Sequence, residues 1–318
     1  MATLRRVANK RIFGQTFFLS TGGILTPQGS LLASIPNALY ENQPNWAGGQ
    51  VICRSLCDII PPDAVGAGLP VAGWDGLWDG STFSASNRFI TNDVEASIPP
   101  FKVRSNRYPN GWGDGSSPVR IDGWERLGAT AIEYDKVYQF YRFRINGIPG
   151  IAGQDQSQLT TYENQPVGTK FGFTCSGGPK ASLAPNQNMV FLEPGHPGGS
   201  LIDTTCRCVM KQQGPASGNR GTTNTINNGA SFITVGPYHT WESIWEINVI
   251  GSPNGRYAQW IDGVQTEDLS DIVWRDAGHP DGFYTWSGDM TWGGSGGFVK
   301  TRDDYIHFNH VYFWGVPS

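Results

Sequence analysis

The stretch Lys136-Val-Tyr-Gln-Phe-Tyr-Arg-Phe-Arg-Ile145 decides the fold class. Its side chains alternate with a period of two, so Gln139, Tyr141, Phe143 and Ile145 share one face of a strand and Tyr138, Phe140, Arg142 and Arg144 share the other. The first face reads as core, which puts the two arginines on the opposite sheet surface. Two later stretches behave alike. Trp241, Ser243, Trp245, Ile247 and Val249 alternate with Glu242, Ile244, Glu246, Asn248 and Ile250, and Arg256, Ala258 and Trp260 alternate with Tyr257, Gln259 and Ile261. Strands with one apolar face and one face mixing charge with aromatic rings build a sheet that presents a groove.

Outward from these stretches the pattern continues as short strands, with candidates at residues 82–91, 101–105, 131–145, 170–175, 189–192, 204–212, 241–250, 256–261 and 305–314. Helical periodicity never persists beyond a few residues, and this spacing of strands predicts an all-β sandwich or jelly roll. Pro253-Asn254-Gly255 and Asp262-Gly263 are hairpin signals, since Asn, Asp and Gly accept positive φ cheaply. Composition agrees. There are 42 Gly among 318 residues, nearly twice the ordinary ~7%, and seven Lys against sixteen Arg, which argues against a helical bundle. Residues 1–70 read as an amino-terminal arm with brief strands at 11–19 and 50–56, and residues 71–318 as the sandwich.

A net charge of −4 provides no basic field, so nucleic acid is not the expected partner. The local exception is the arm, where Arg5, Arg6, Lys10 and Arg11 precede any acidic residue. No apolar run is long enough to span a membrane, and residues 17–19 make a poor signal-peptide core. A surface-type protein without an export signal implies a virion or extracellular location reached by another route, with residues 1–40 docking to capsid or tail proteins. The five cysteines lack paired Cys-x-x-Cys hooks, so no metal site is expected and buried free thiols are preferred over a Cys53–Cys57 bridge. No cofactor is expected, although Asp75, Asp79 and Asp114 offer oxygen ligands of the kind Ca2+ prefers, short of a full set. Oligomeric state stays open.

Several pieces, taken in chain order, resemble the concanavalin-like β-sandwich of polysaccharide-lyase-like and laminin-G-like domains. They are Tyr108-Pro-Asn-Gly-Trp-Gly-Asp-Gly-Ser-Ser-Pro118, residues 137–145 followed by Lys170-Phe-Gly-Phe173, and Gly255-Arg-Tyr-Ala-Gln-Trp-Ile-Asp-Gly-Val264. The closing piece is Trp292-Gly-Gly-Ser-Gly-Gly followed by Asp304-Tyr-Ile-His-Phe-Asn-His-Val-Tyr-Phe-Trp-Gly315. The resemblance covers residues 74–318 and implies a jelly roll that binds or cleaves glycans on a concave sheet. A lyase of this class needs a group to neutralise the uronate carboxylate and a Tyr, His or Lys to move protons. The Arg-x-Glu-x-Arg, Gln-Ile-His and Tyr-x-Lys-x-Gly motifs of one alginate-lyase branch are absent, so glycan binding or adhesion is expected ahead of β-elimination, with a purely structural capsid-decoration role as a further alternative.

The expected ligand-binding residues are Arg142, Arg144, Lys170, Tyr257, Gln259, Trp286 and Trp292. The arginines supply bidentate contacts to an anionic sugar, and the two tryptophans, placed in a Gly-rich loop, supply exposed stacking platforms. If the chain is a lyase, Tyr257, His307 and Arg142 are the expected catalytic set. Strict alternation puts His307 and His310 on opposite faces of the last strand. Glu242 and Glu246 lie about 13 Å apart along a strand, too far for paired-carboxylate hydrolysis.

Overall fold

The computed structural model describes residues 10–12, 15–17, 40–55, 57, 85–93, 102–115, 117–118, 122–123, 132–145, 161–162, 165–166, 168–176, 186–194, 205–213, 224–225, 232–287, 291–293 and 297–318. In chain order the strands are β1 (Lys10–Ile12), β2 (Gln15–Phe17), β3 (Gln50–Ser55), β4 (Arg88–Asn92), β5 (Lys102–Tyr108), β6 (Asp122–Gly123) and β7 (Tyr134–Ile145). Then come β8 (Thr161–Tyr162), β9 (Gln165–Pro166), β10 (Thr169–Ser176), β11 (Asn186–Pro194), β12 (Thr205–Gln213), β13 (Asn224–Thr225) and β14 (Phe232–Thr234). The series closes with β15 (His239–Glu246), β16 (Gly255–Ile261), β17 (Val264–Ile272), β18 (Phe283–Ser287) and β19 (Asp304–Pro317). The chain is all-β, and its one helical feature among the described residues is a single 3-10 turn at Ala85–Asn87.

Among the described residues fifteen strands form one continuous antiparallel network, and two small hairpins, β1–β2 and β8–β9, stand apart. The network folds into two layers. The first runs β17–β16–β15–β7–β19, with β3 and β5 sharing the far edge of the long β19 and β4 beyond β5. The second runs β6–β18–β10–β11–β12, with β13 and β14 on β12. Among the described residues one ladder pair, Phe283 with Tyr134, joins them.

Between the layers lies one core. From the first layer it takes Val137, Tyr141, Phe143, Trp241, Trp245 and Tyr257, and from the second Cys208, Met210 and Phe283. Trp245 packs edge-on against Tyr257 and Phe283, geometry that the ring quadrupoles favour. Gln139 and Tyr141, buried polar groups on this face, are hydrogen-bonded, as burial demands. The Gln139 amide donates to Thr174 Oγ1 at 2.9 Å and accepts from the Tyr141 hydroxyl at 3.0 Å. The alternation read from residues 136–145 is therefore the alternation of the fold.

Three local expectations need correction. β3 falls inside the segment read as an arm, yet it pairs with the last strand of the sandwich; the expected boundary near residue 71 lies outside the described residues. Asp262 and Gly263 do make the tight turn, with φ of 51° and 77°. The other hairpin turns at Gly251 (φ 85°) instead of Asn254-Gly255, because β15 ends early at Glu246. Asn254 serves as an acceptor there, for the Val249 N–H at 2.8 Å. Strand β17 had no signal: its exposed, acidic sequence Val-Gln-Thr-Glu-Asp-Leu-Ser-Asp-Ile suits a sheet edge that must not recruit partners. Cys57, Cys175 and Cys208 are buried free thiols, which rules out the Cys53–Cys57 bridge.

Candidate functional site

The outer face of the first layer carries the polar chemistry. Strand β7 contributes Tyr138, Phe140, Arg142 and Arg144 at alternate positions, all turned away from the inter-layer core. Strand β19 contributes both histidines to the same face, contrary to strict alternation. The register pairs His307 with Arg144 and His310 with Arg142, with a shift between Phe308 and His310. Asn309 is the extra residue of this bulge, and one inserted residue returns the strand to phase so that the histidines flank a single surface.

At the β4–β5 end this surface holds a compact cluster. The guanidinium carbons of Arg142 and Arg144 lie 4.1 and 5.0 Å from the centroid of the Tyr238 ring, within cation–π range. Tyr238 donates its hydroxyl to Asp93 at 2.6 Å, and Arg144 pairs with Asp93 at 2.6 Å. Arg142 donates to the neutral amide oxygen of Asn309, also at 2.6 Å. Of the two guanidiniums, Arg144 contacts the buried Asp93 carboxylate directly, and Asp93 acts on Arg142 only at longer range. Arg142 is only 7% exposed, and burial pushes its guanidinium down to about 10, against the pull of Tyr238 and Asp93, so it stays charged at neutral pH.

His307 completes the cluster. Its Nδ1 is tied to Ser105 Oγ at 2.7 Å, and Tyr305 stacks on its ring at 5.7 Å. Its Nε2 is buried without a hydrogen-bond partner among the described residues. Burial, and next the Arg144 charge, push the imidazole down to about 4, so it is neutral at physiological pH.

The other end of the face is capped. Residues 40–49 cross it before entering β3. Tyr40 stacks on Tyr312 at 4.0 Å and 15° and bonds His310 Nε2. Asn42 donates its backbone N–H and its side-chain amide to the two oxygens of Glu242, at 3.2 and 3.0 Å, and Tyr138 donates to the same carboxylate. Trp46 stacks on Trp314 at 5.3 Å. Glu242 is buried, and that burial raises its carboxyl despite these donors. Glu246, by contrast, is matched with Lys136 and Arg256 at the layer's rim.

The expected site residues separate into three places. Arg142, Arg144 and His307 come together on the outer face. Tyr257 and Gln259 do not join them: both are fully enclosed between the layers, the Tyr257 hydroxyl donating to Gln259 Oε1 at 2.6 Å. Their parity on β16 puts them beside Trp241 and Trp245, so the expectation that they meet a ligand with the arginines is overturned. Lys170, Trp286 and Trp292 belong to the second layer's side. Lys170 bonds the Gly293 carbonyl at 2.9 Å, Trp286 sits in strand β18 and not in a loop, and Trp292 is fully buried beneath the Lys300 ammonium at 4.9 Å. An exposed stacking role for Trp292 is thereby excluded. Asp75 and Asp79 lie outside the described residues, and no group of three or more metal-ligating side chains occurs among those described. No helix among them is long and apolar enough to cross a membrane.

Sequence reasoning missed Asp93, Ser105, Tyr238 and Asn309. Asp93, Tyr238 and Asn309 reach the arginines, and Ser105 reaches His307, each from another strand or loop, and no local spacing encodes such a meeting. The alternation of Arg142 and Arg144 with aromatic residues was a signal for a ring partner, though not for which ring.

No family model and no curated protein sequence matches the chain. Solved structures do resemble it. The alginate lyase Aly36B superimposes with a TM-score of 0.53 at 11% identity, over 84% of this chain and 96% of that one. The marine PL-14 alginate lyase from Aplysia kurodai gives 0.51 at 12% identity, over 83% and 98%. A variant of Aly36B in complex with alginate trisaccharide gives 0.50 at 13% identity, over 84% and 97%. These likenesses establish the jelly-roll fold over most of the chain.

Proposed function

We propose that this protein binds an anionic polysaccharide on the outer face of its first layer, with Arg142 meeting the sugar carboxylate. One observation carries this: Arg144 is matched to Asp93, whereas Arg142, equally buried, rests on a neutral amide. A buried guanidinium with no carboxylate of its own among the described residues gains most from an incoming one, since charge-assisted bonds strengthen where water is excluded. The fold shared with two alginate lyases, one of them solved with alginate trisaccharide, supports the choice of an acidic glycan. The test is calorimetry with alginate and glucuronan oligosaccharides against neutral glucans. Binding of the uronates alone, lost in Arg142→Ala, is the expected result.

A second reading, β-elimination, is favoured by His307. A neutral imidazole whose Nε2 has no hydrogen-bond partner among the described residues can accept the C5 proton of a uronate while Arg142 stabilises the carboxylate. The C4–O bond then breaks, a C4–C5 double bond forms, and the leaving oxygen takes a proton. Ultraviolet absorbance from unsaturated uronate ends distinguishes cleavage from binding. The solved structures reported above give no support for a place in a viral particle.

A further inference from the structure

We infer that residues 40–49 are an internal stand-in for a sugar, and that the sheet strip beneath them is a second saccharide subsite suited to an uncharged ring. This rests on the anionic-polysaccharide reading of the neighbouring Arg142 cluster.

The strap's contacts are those a sugar would make. Tyr40 lays its ring flat on Tyr312 and its edge against Phe140 at 5.1 Å, while its hydroxyl reaches His310. Stacking on an aromatic face combined with an outward hydroxyl bond is how a pyranose docks. Asn42 brings two donors to the two oxygens of one carboxylate, the service that neighbouring hydroxyls of a sugar perform. Trp46 covers Trp314, with the Lys136 ammonium 5.4 Å over its ring.

These side-chain contacts hold the strap on the sheet. Its backbone–backbone bonds among the described residues are two turns of its own, Gln43 to Tyr40 and Gly49 to Trp46. Among the described residues its backbone enters the sheet ladder where β3 begins. Gly49 marks how closely it is fitted, since a Cβ there would stand 1.8 Å from the Trp314 ring.

The covered strip is continuous with the proposed anion site. Tyr138, Phe140, Arg142 and Arg144 are successive outward residues of β7, spanning about 20 Å. The strap covers the first pair and leaves the second. Glu242 lies in the covered half and would repel a carboxylated sugar, so this half takes an uncharged ring while Arg142 takes the acidic one.

A strap docked nine-tenths of the time lowers apparent affinity for its competitor about tenfold. The experiment uses the full chain, with cellohexaose as the neutral probe and an alginate hexamer as the acidic one. Gly49→Ala expels the strap by collision with Trp314, and Asn42→Asp does so by charge against Glu242 without altering volume. Both variants should bind cellohexaose about tenfold more tightly than wild type, and saturating cellohexaose should speed amide exchange across residues 40–49 in the wild-type chain. Released strap in both variants without a gain in cellohexaose affinity overturns the subsite. If alginate binding still depends on Arg142 in that case, the proposed function stands alone. If neither probe binds any form, both fall.

Discussion

Acid should weaken this protein through His307, by about 3 kcal/mol. In the unfolded chain the imidazole titrates near 6.5, and in the native state near 4, because burial and then the Arg144 charge oppose its protonation. The native pKa lies below the unfolded one, so the unfolded state binds more protons between these values and stability falls as pH drops through that window. At about 1.4 kcal/mol per pH unit, the displacement from 6.5 to about 4 amounts to roughly 3 kcal/mol. About 2 kcal/mol of it is gone by pH 5, and almost none is lost at pH 7. The assay is urea unfolding from pH 4 to 8 in wild type and His307→Gln, whose amide can still bond Ser105 but cannot ionise. The wild-type minus variant difference should slope across pH 4–6.5 and be flat above 7. Parallel curves, or an imidazole that titrates near 6.5 in the folded protein by NMR, would refute the reasoning.

Other consequences are as direct. Asp93→Asn leaves Arg144 buried without its countercharge and should cost about 3–5 kcal/mol in urea unfolding. Tyr257→Phe removes a hydroxyl bonded to Gln259 inside the core, so it should cost about 1 kcal/mol and leave alginate affinity unchanged; a loss of affinity would return Tyr257 to the site. Glu242 has the opposite pH sign to His307. Its native carboxyl is raised, so the associated stability is present below its unfolded pKa and lost as pH rises through the native one. Glu242→Gln should therefore gain on wild type between pH 4 and pH 8, as followed by thermal unfolding.

What could be read from the sequence was whatever one strand fixes for itself. Alternation in residues 136–145 and 241–246 separates core from outer face because the period of a pleated strand is set by the backbone alone. It fails where the backbone departs from that period. The bulge at Asn309 leaves no mark in the residue types around it, yet it brings His307 and His310 to one face. Tyr257 and Gln259 look like ligand contacts because they are polar residues beside aromatics. Their hydroxyl–amide bond lets them pass as core, a pairing visible only once Thr266, across the next turn, receives the Gln259 amide. Asp93 and Tyr238 come from segments far apart in the chain and meet only through tertiary structure.

The most direct measurement is the affinity of wild type and Arg142→Ala for an alginate hexamer at two salt concentrations, beside Arg256→Ala, whose guanidinium at the rim is already held by Asp268. Binding that weakens at least tenfold on losing Arg142, weakens with salt, and is indifferent to Arg256 is the predicted outcome. Equal affinity of all three proteins would contradict an acidic sugar on this face.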